Sequence, residues 1–230
     1  MSIARHELFD TLAVVARALG NGNRLELLER LAQTEAPVDS LAAATSLSVA
    51  NASQHLQQLR RAGLVTARRE GRQMIYRLTD QRIVLLMGLI REVAESNLAE
   101  AERLVSRLFD DSDAEGALEP VSRDALRTAL EQGTVTLLDV RPEHEYRAAH
   151  LPGAINLPMD RLDQALEVLP RDREIVAYCR GPYCVLSHQA AQRLREFGFQ
   201  VRRFQEGLPE WRAAGLPVQQ ETPETSGRNH

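Results

Sequence analysis

Residues 174–199, EIVAYCRGPYCVLSHQAAQRLREFGF, constrain what this chain can fold into more than any other stretch. The short β-branched and aromatic run at 175–178 ends at Cys179. CRGPYC then breaks the pattern, and from about Val185 apolar residues recur at helical spacing. Strand, tight loop and helix in that order are one step of a parallel α/β sheet, where sites collect at the carboxyl ends of strands. Cys179 falls at such an end. A cysteine there, facing the N–H groups of a helix start, is where a thiolate is most easily stabilised.

The same alternation runs from 119 to 218. Strands are expected at 135–140, 154–157, 175–178 and 201–204, and helices at 122–131, 160–168, 185–197 and 208–214. The stretch DDSDAEGALEP, acidic and ending in proline, reads as a linker, placed at 110–118, and residues 219–230 as a disordered tail. The chain thus divides into a mainly α domain at 1–109 and an α/β domain with a parallel sheet at 119–218. With 230 residues, each part is large enough to bury its own core. No apolar run approaches the roughly 20 residues of a membrane span, and no signal-peptide pattern opens the chain, so a cytoplasmic protein without a membrane partner is expected.

The first 109 residues read as helices at 6–19, 24–32, 41–45 and 49–62, a hairpin, and one long helix at 81–109. Asp39 and Ser40 are candidate caps for the third helix. Ser48 is a good N-cap for the fourth, and Gly63 stops it. LVTARREGRQMIYRL forms the hairpin around Glu70, Gly71 and Arg72. Within 51–82 there are seven arginines against two acids, although net charge over the whole chain is −4. A basic patch of this kind suits phosphate contacts.

Two short helices followed by a basic hairpin make a winged helix-turn-helix. In helix 49–62, Val49, Ala52, Leu56 and Leu59 form the expected buried stripe, and Asn51, Ser53, Gln54, Gln57 and Arg61 point away from it. Asn and Gln pair bidentately with adenine edges and Arg with guanine. Arg68, Arg69 and Arg72 on the hairpin would hold phosphates or enter the minor groove.

SVANASQHLQQLRRAGLVTARREGRQMIYRL resembles the ArsR/SmtB family of winged-helix repressors, over roughly residues 5–105. The resemblance implies a homodimer joined through the first helix and the 81–109 helix, bound to palindromic double-stranded operator DNA. His55 lies in the family's S-x-H-L pattern, which assigns it to packing or DNA contact. Metal-sensing members carry thiol ligands in a box equivalent to EAPVDSL, residues 35–41, which here has no cysteine or histidine. The 81–109 helix has none either. A tight zinc, copper or arsenic(III) site is therefore not expected in this half, and no metal or cofactor is assigned.

LLDVRPEHEYRAAHLPGAINLP (137–158), YCRGPYC (178–184) and EGLPEWRAAGLPV (206–218) together resemble a rhodanese domain. The resemblance implies that Cys179 takes sulfane sulfur from a small donor (thiosulfate, polysulfide or persulfide) and passes it to a thiol acceptor. The six-residue loop, Cys179 to Cys184, is similar to that of sulfur-transferring members. Gly181, Tyr183 and Val185 are expected to present N–H groups to the anion, whereas Pro182 has none to give. Arg180 would attract an anionic donor. Cys184 is close enough in sequence to resolve a Cys179 persulfide, or is a small buried residue at a helix start. Asp139 and Arg141 match the family's D-x-R and are read as ties between the strand end and neighbouring loops.

Taken together these features predict a DNA-binding transcriptional regulator, expected to repress, that responds to reactive sulfur through a Cys179 persulfide. Two alternatives stay open. One is a sulfurtransferase enzyme with an appended DNA-binding domain; the other is a regulator responding to arsenic or oxyanions.

Overall fold

The computed structural model describes residues 3–109, 120–164, 166–167 and 169–221. The chain forms two compact units, Met1–Arg91 and Glu92–His230. The linker expected at 110–118 lies outside the described residues.

In the first unit α1 (Ile3–Leu19), α2 (Gly22–Gln33), α3 (Val38–Ala44) and α4 (Val49–Arg61) precede the hairpin β2 (Val65–Glu70) and β3 (Gln73–Leu78). A two-residue strand β1 (Ala36–Pro37) pairs antiparallel with β3, completing a three-stranded wing in the order β1-β3-β2. Ser48 caps α4, its side chain accepting from the Asn51 N–H at 3.2 Å. Gly63 ends the helix with φ +74°, and Gly71 turns the hairpin with φ +60°, conformations that favour glycine. Helix α3 starts earlier than expected, at Val38 after Pro37, which leaves Asp39 in the first turn rather than at the cap. Leu27, Leu28, Leu41, Leu56, Leu59 and Tyr76 form one apolar cluster. Val49 does not belong to it: at the first position of α4 it is 47% exposed, because the stripe begins one turn later, at Ala52.

The expected helix at 81–109 is two helices, α5 (Arg82–Asn97) and α6 (Ala99–Phe109). The break falls after Ser96 and Asn97, residues that compete with the helix for backbone partners; Asn97 Nδ2 donates to the Val93 carbonyl at 2.8 Å. Glu100 and Glu102 then occupy the first turn of α6, where acidic side chains complement the helix dipole.

The second unit continues with α7 (Arg123–Gln132), β4 (Val135–Asp139), α8 (Glu143–Ala148), β5 (Ile155–Asn156), β6 (Glu174–Cys179), α9 (Val185–Glu196), β7 (Val201–Gly207) and α10 (Leu208–Ala213). The four strands are parallel, in the order β5-β4-β6-β7. Strand alternation sorts the side chains of β6 by face. Ile175, Ala177 and Cys179 join Ala190, Ala191 and Leu194 of α9 in one cluster. Val176 and Tyr178 join Leu126 of α7 and Trp211 of α10 in the other. The helix expected at 160–168 is a short 3-10 segment, Met159–Gln164, and α8 has no counterpart among the expected helices. Its six residues contain none buried, so it gives no apolar periodicity to read. Order extends past 218: Gln219 bridges His150, and the Glu221 N–H reaches the Arg147 carbonyl at 3.0 Å. Among the described residues no helix is long and apolar enough to cross a membrane.

Candidate functional site

Cys179 ends β6 and Cys184 is the N-cap residue of α9. Their Cα atoms stand 6.2 Å apart and a disulfide joins them. The loop between them is compact because the Cys184 N–H turns back onto the Gly181 carbonyl at 3.1 Å. That bond, with Pro182 lacking an N–H, takes two amides out of the anion cradle expected between Arg180 and Val185. Cys179 and Gly181 are buried, Pro182, Cys184 and Val185 half-buried, and Tyr183 exposed.

Arg180 does not stand as a free positive charge. Its guanidinium forms a fork on the Glu145 carboxylate, with Nε 2.9 Å from Oε2. Glu145 lies on α8, a helix whose lack of buried residues leaves no apolar pattern in the sequence to announce it. The pair fastens the loop to α8 and offsets the charge that was assigned to a donor.

Tyr183 reaches out of the loop instead, donating its hydroxyl to Glu95 Oε1 of α5 at 2.6 Å. The end of α6 also packs nearby in the same unit. Phe109 is buried, its ring 5.4 Å from that of His188 on α9 and 4.2 Å from the Arg203 guanidinium of β7.

Gly207, at the end of β7, pairs with Cys179 across a β-bulge. A Cβ there would stand 2.5 Å from the Arg180 carbonyl and 2.6 Å from the Gly181 nitrogen. The strand end touches the loop backbone directly, and only a residue without a side chain permits it. A glycine after a strand is the only sequence signal for this role.

Behind the loop, Asp139 and Arg141 form a buried pair. Arg141 Nη2 donates to Asp139 Oδ2 at 2.6 Å and to the Ala149 carbonyl at 2.7 Å. Tyr178 donates to the same Oδ2 at 2.5 Å and accepts from the Leu151 N–H at 3.0 Å. Burial opposes the charge on Arg141, but the Asp139 hydrogen bond and charge outweigh it and hold the guanidinium above its usual value. Burial first, and the Asp139 carboxylate second, push the Tyr178 hydroxyl well above its usual range. The network ties strand ends to the 149–151 segment. His150 is buried against Tyr146, stacked at 3.8 Å, whereas His144 is exposed.

In the first unit the outer face of α4 presents Asn51, Gln54, Gln57 and Arg61, all exposed, with Ser53 half-buried. His55 is half-buried, its Nε2 3.5 Å from Asn23 of α2. Ser48 spends its side chain on the cap. Arg24, which no sequence motif singles out, ties α2 to α4 and α1: its guanidinium donates to Gln58 Oε1 at 2.6 Å and to the Arg17 carbonyl at 2.8 Å. On the wing, Arg69 and Arg72 are exposed. Arg68 is instead engaged with Glu35, Nη2 to Oε1 at 2.6 Å, and with Glu70 at 3.1 Å. The Arg68 hydrogen bond holds the Glu35 carboxyl below its usual range. Glu35 lies just ahead of β1, so Arg68, although also exposed, is held by an ion pair that braces the wing.

A capped recognition-type helix with a basic wing, and a parallel sheet with a cysteine loop at its carboxyl edge, define a winged-helix regulator fused to a rhodanese-like domain. Residues 21–67 match the bacterial regulatory protein family arsR, and residues 122–214 the rhodanese-like domain family. The chain is 42% identical over 216 residues to the HTH-type transcriptional regulator Rv0324 of Mycobacterium tuberculosis, covering 94% of this chain and 93% of that protein. It belongs to that family, ArsR-type regulators carrying a C-terminal rhodanese-like domain. Over 85 residues the chain is 33% identical to a sulfurtransferase of Allochromatium vinosum, covering 36% of this chain and 78% of that one. A solved homodimeric winged helix-turn-helix domain from Mycobacterium bovis, a possible ArsR-family regulator, is 40% identical; the match covers 44% of this chain and 93% of that one, with a TM-score of 0.40.

Proposed function

We propose that the protein is a DNA-binding transcriptional regulator, acting as a cytoplasmic repressor, that responds to reactive sulfur through Cys179. The observation that carries this reading is the pairing of Cys179 with Cys184 at the carboxyl edge of the sheet. A sulfur-carrying thiol with a resolving partner beside it has two covalent states, which a sensor requires.

The chemistry balances as follows. Cys179 thiolate attacks a terminal sulfur of a polysulfide, taking one sulfur as a persulfide while the shortened polysulfide leaves with the electron pair of the broken S–S bond. Cys184 thiolate then attacks the Cys179 sulfur, forming the disulfide and expelling hydrosulfide. Loading belongs to the dithiol form, since Cys179 in the closed pair is wholly buried.

Two contacts support transmission toward the DNA-binding unit. Tyr183 within the loop holds Glu95 on α5, and Phe109 of α6 seats against α9. Helix α5 starts among the residues of the first core, where Ile83, Leu86 and Met87 pack. Closing the loop moves the Tyr183 anchor and changes the relative stability of two arrangements of this helix.

Exposed apolar side chains support a homodimer through α1 and the α5–α6 pair. Leu8, Phe9 and Leu12 on α1, and Leu89, Val93 and Leu104 on the pair, all lie open. Asn51, Gln54, Gln57 and Arg61 would read base edges of double-stranded operator DNA, with Arg69 and Arg72 on its phosphates. The likeness to a sulfurtransferase favours a second reading, in which the same persulfide turns over on an external acceptor.

The test is to treat Cys184→Ser and wild type with polysulfide and examine tryptic peptides. One added sulfur on peptide 174–180 of the variant, and a disulfide linking 174–180 to 181–193 in wild type, are expected. Unmodified Cys179 in both would end the proposal.

A further inference from the structure

The closed disulfide leaves its two sulfurs in unequal surroundings. Cys179 is 0% exposed and lies in the cluster with Ile175, Ala177 and Ala190. Gly207 presses on the Arg180–Gly181 backbone from one side, and Glu145 fixes the Arg180 side chain. Cys184 is only half-buried and adjoins Tyr183, which is 39% exposed. A thiolate can break a disulfide only by reaching one of its sulfurs, so access decides which is attacked.

We infer that the pair is reopened by a small external thiol that attacks Cys184 and expels Cys179, resting on the reading above that the pair has two covalent states. The incoming thiolate supplies the electrons of a new S–S bond to Cys184, and the electrons of the old bond leave with Cys179 as its thiolate. A second external thiol attacks the sulfur of the first, forming their mutual disulfide and releasing Cys184. Two external thiols are oxidised and both cysteines end reduced. Cys184 is thus the entry point for reductant, whereas Cys179 is the entry point for sulfur. Gly181 is buried and Pro182 and Val185 are half-buried beside Cys184, which suits a small thiol over a protein one.

The order of bond breaking also sets what survives an incomplete reduction. Stopped after one step, the protein carries the external thiol on Cys184 and a free thiolate on Cys179, at the end of β6 where sulfur would be loaded.

Arg180 places a tryptic cut between the two cysteines, so their fates are read on separate peptides, 174–180 and 181–193. The full-length protein is oxidised with diamide, mixed with excess glutathione, stopped at short times with acid and N-ethylmaleimide, and digested. Glutathione on 181–193 with N-ethylmaleimide on 174–180 is expected, at least tenfold over the reverse pattern. Equal or predominant glutathione on 174–180 would overturn the inference, as would failure of diamide to link the two peptides. Neither DNA nor a sulfur donor is present, so this result stands or falls separately from the regulatory reading.

Discussion

Replacing Gly207 with alanine tests whether the cysteine loop is positioned by direct backbone contact with β7. The φ at Gly207 is −139°, open to any residue, so alanine brings no conformational penalty, only a contact. Its Cβ would sit 2.5 Å from the Arg180 carbonyl, and ordinary contact begins at 3.4 Å, so the loop backbone must move out by about 0.9 Å. The cysteine Cα atoms are 6.2 Å apart, and disulfides are seldom formed beyond about 6.8 Å, which leaves slack of about 0.6 Å. The atoms that must move, at Arg180 and Gly181, lie inside the loop that the disulfide closes. Overpacking of this kind costs about 1–3 kcal/mol, and the disulfide should form more slowly as well. Thermal unfolding and the rate of diamide-driven closure, followed by tryptic mass analysis, measure both. Gly215→Ala is the control: its φ is +75° and nothing lies within 4 Å, so it should lose stability without slowing closure. Unchanged closure and unchanged melting in Gly207→Ala would refute the contact argument.

Tyr183→Phe removes the bond to Glu95 and should leave DNA affinity of the reduced protein intact. It should weaken the response to polysulfide by about 1 kcal/mol, roughly fivefold, in a binding titration. Arg72→Ala should lower the salt dependence of DNA binding by about one unit of log–log slope, whereas Arg68→Ala, already bound to Glu35, should leave that slope unchanged and lower wing stability. Asp139→Ala strands the buried Arg141 charge and should cost about 3–5 kcal/mol in urea unfolding.

Both folds were legible in the sequence because periodicity and capping carry them. Ser48, Gly63 and Gly71 do locally what their residue types favour, and the β6–loop–α9 unit begins and ends within a residue or two of its expected limits. What was not legible depends on partners distant in sequence. Arg180 looked like an exposed cation because Glu145, 35 residues earlier, sits on a helix with no buried face. Arg68 looked like a phosphate anchor because Glu35, 33 residues away, gives no local sign of pairing with it. Gly207 contacts a loop 26 residues earlier through the absence of a side chain, which no pattern of apolar spacing records. The 81–109 helix failed for a local reason: its apolar stripe continues through Asn97, but the backbone does not.

The central claim is that the covalent state of Cys179 sets DNA affinity. Fluorescence anisotropy of the full chain on its own upstream DNA, at fixed salt, addresses it directly, with wild type and Cys179→Ser each measured with and without polysulfide. The account predicts at least tenfold weaker binding of treated wild type, about 1.4 kcal/mol, and no change in the variant. Equal binding of both proteins under all conditions would contradict it.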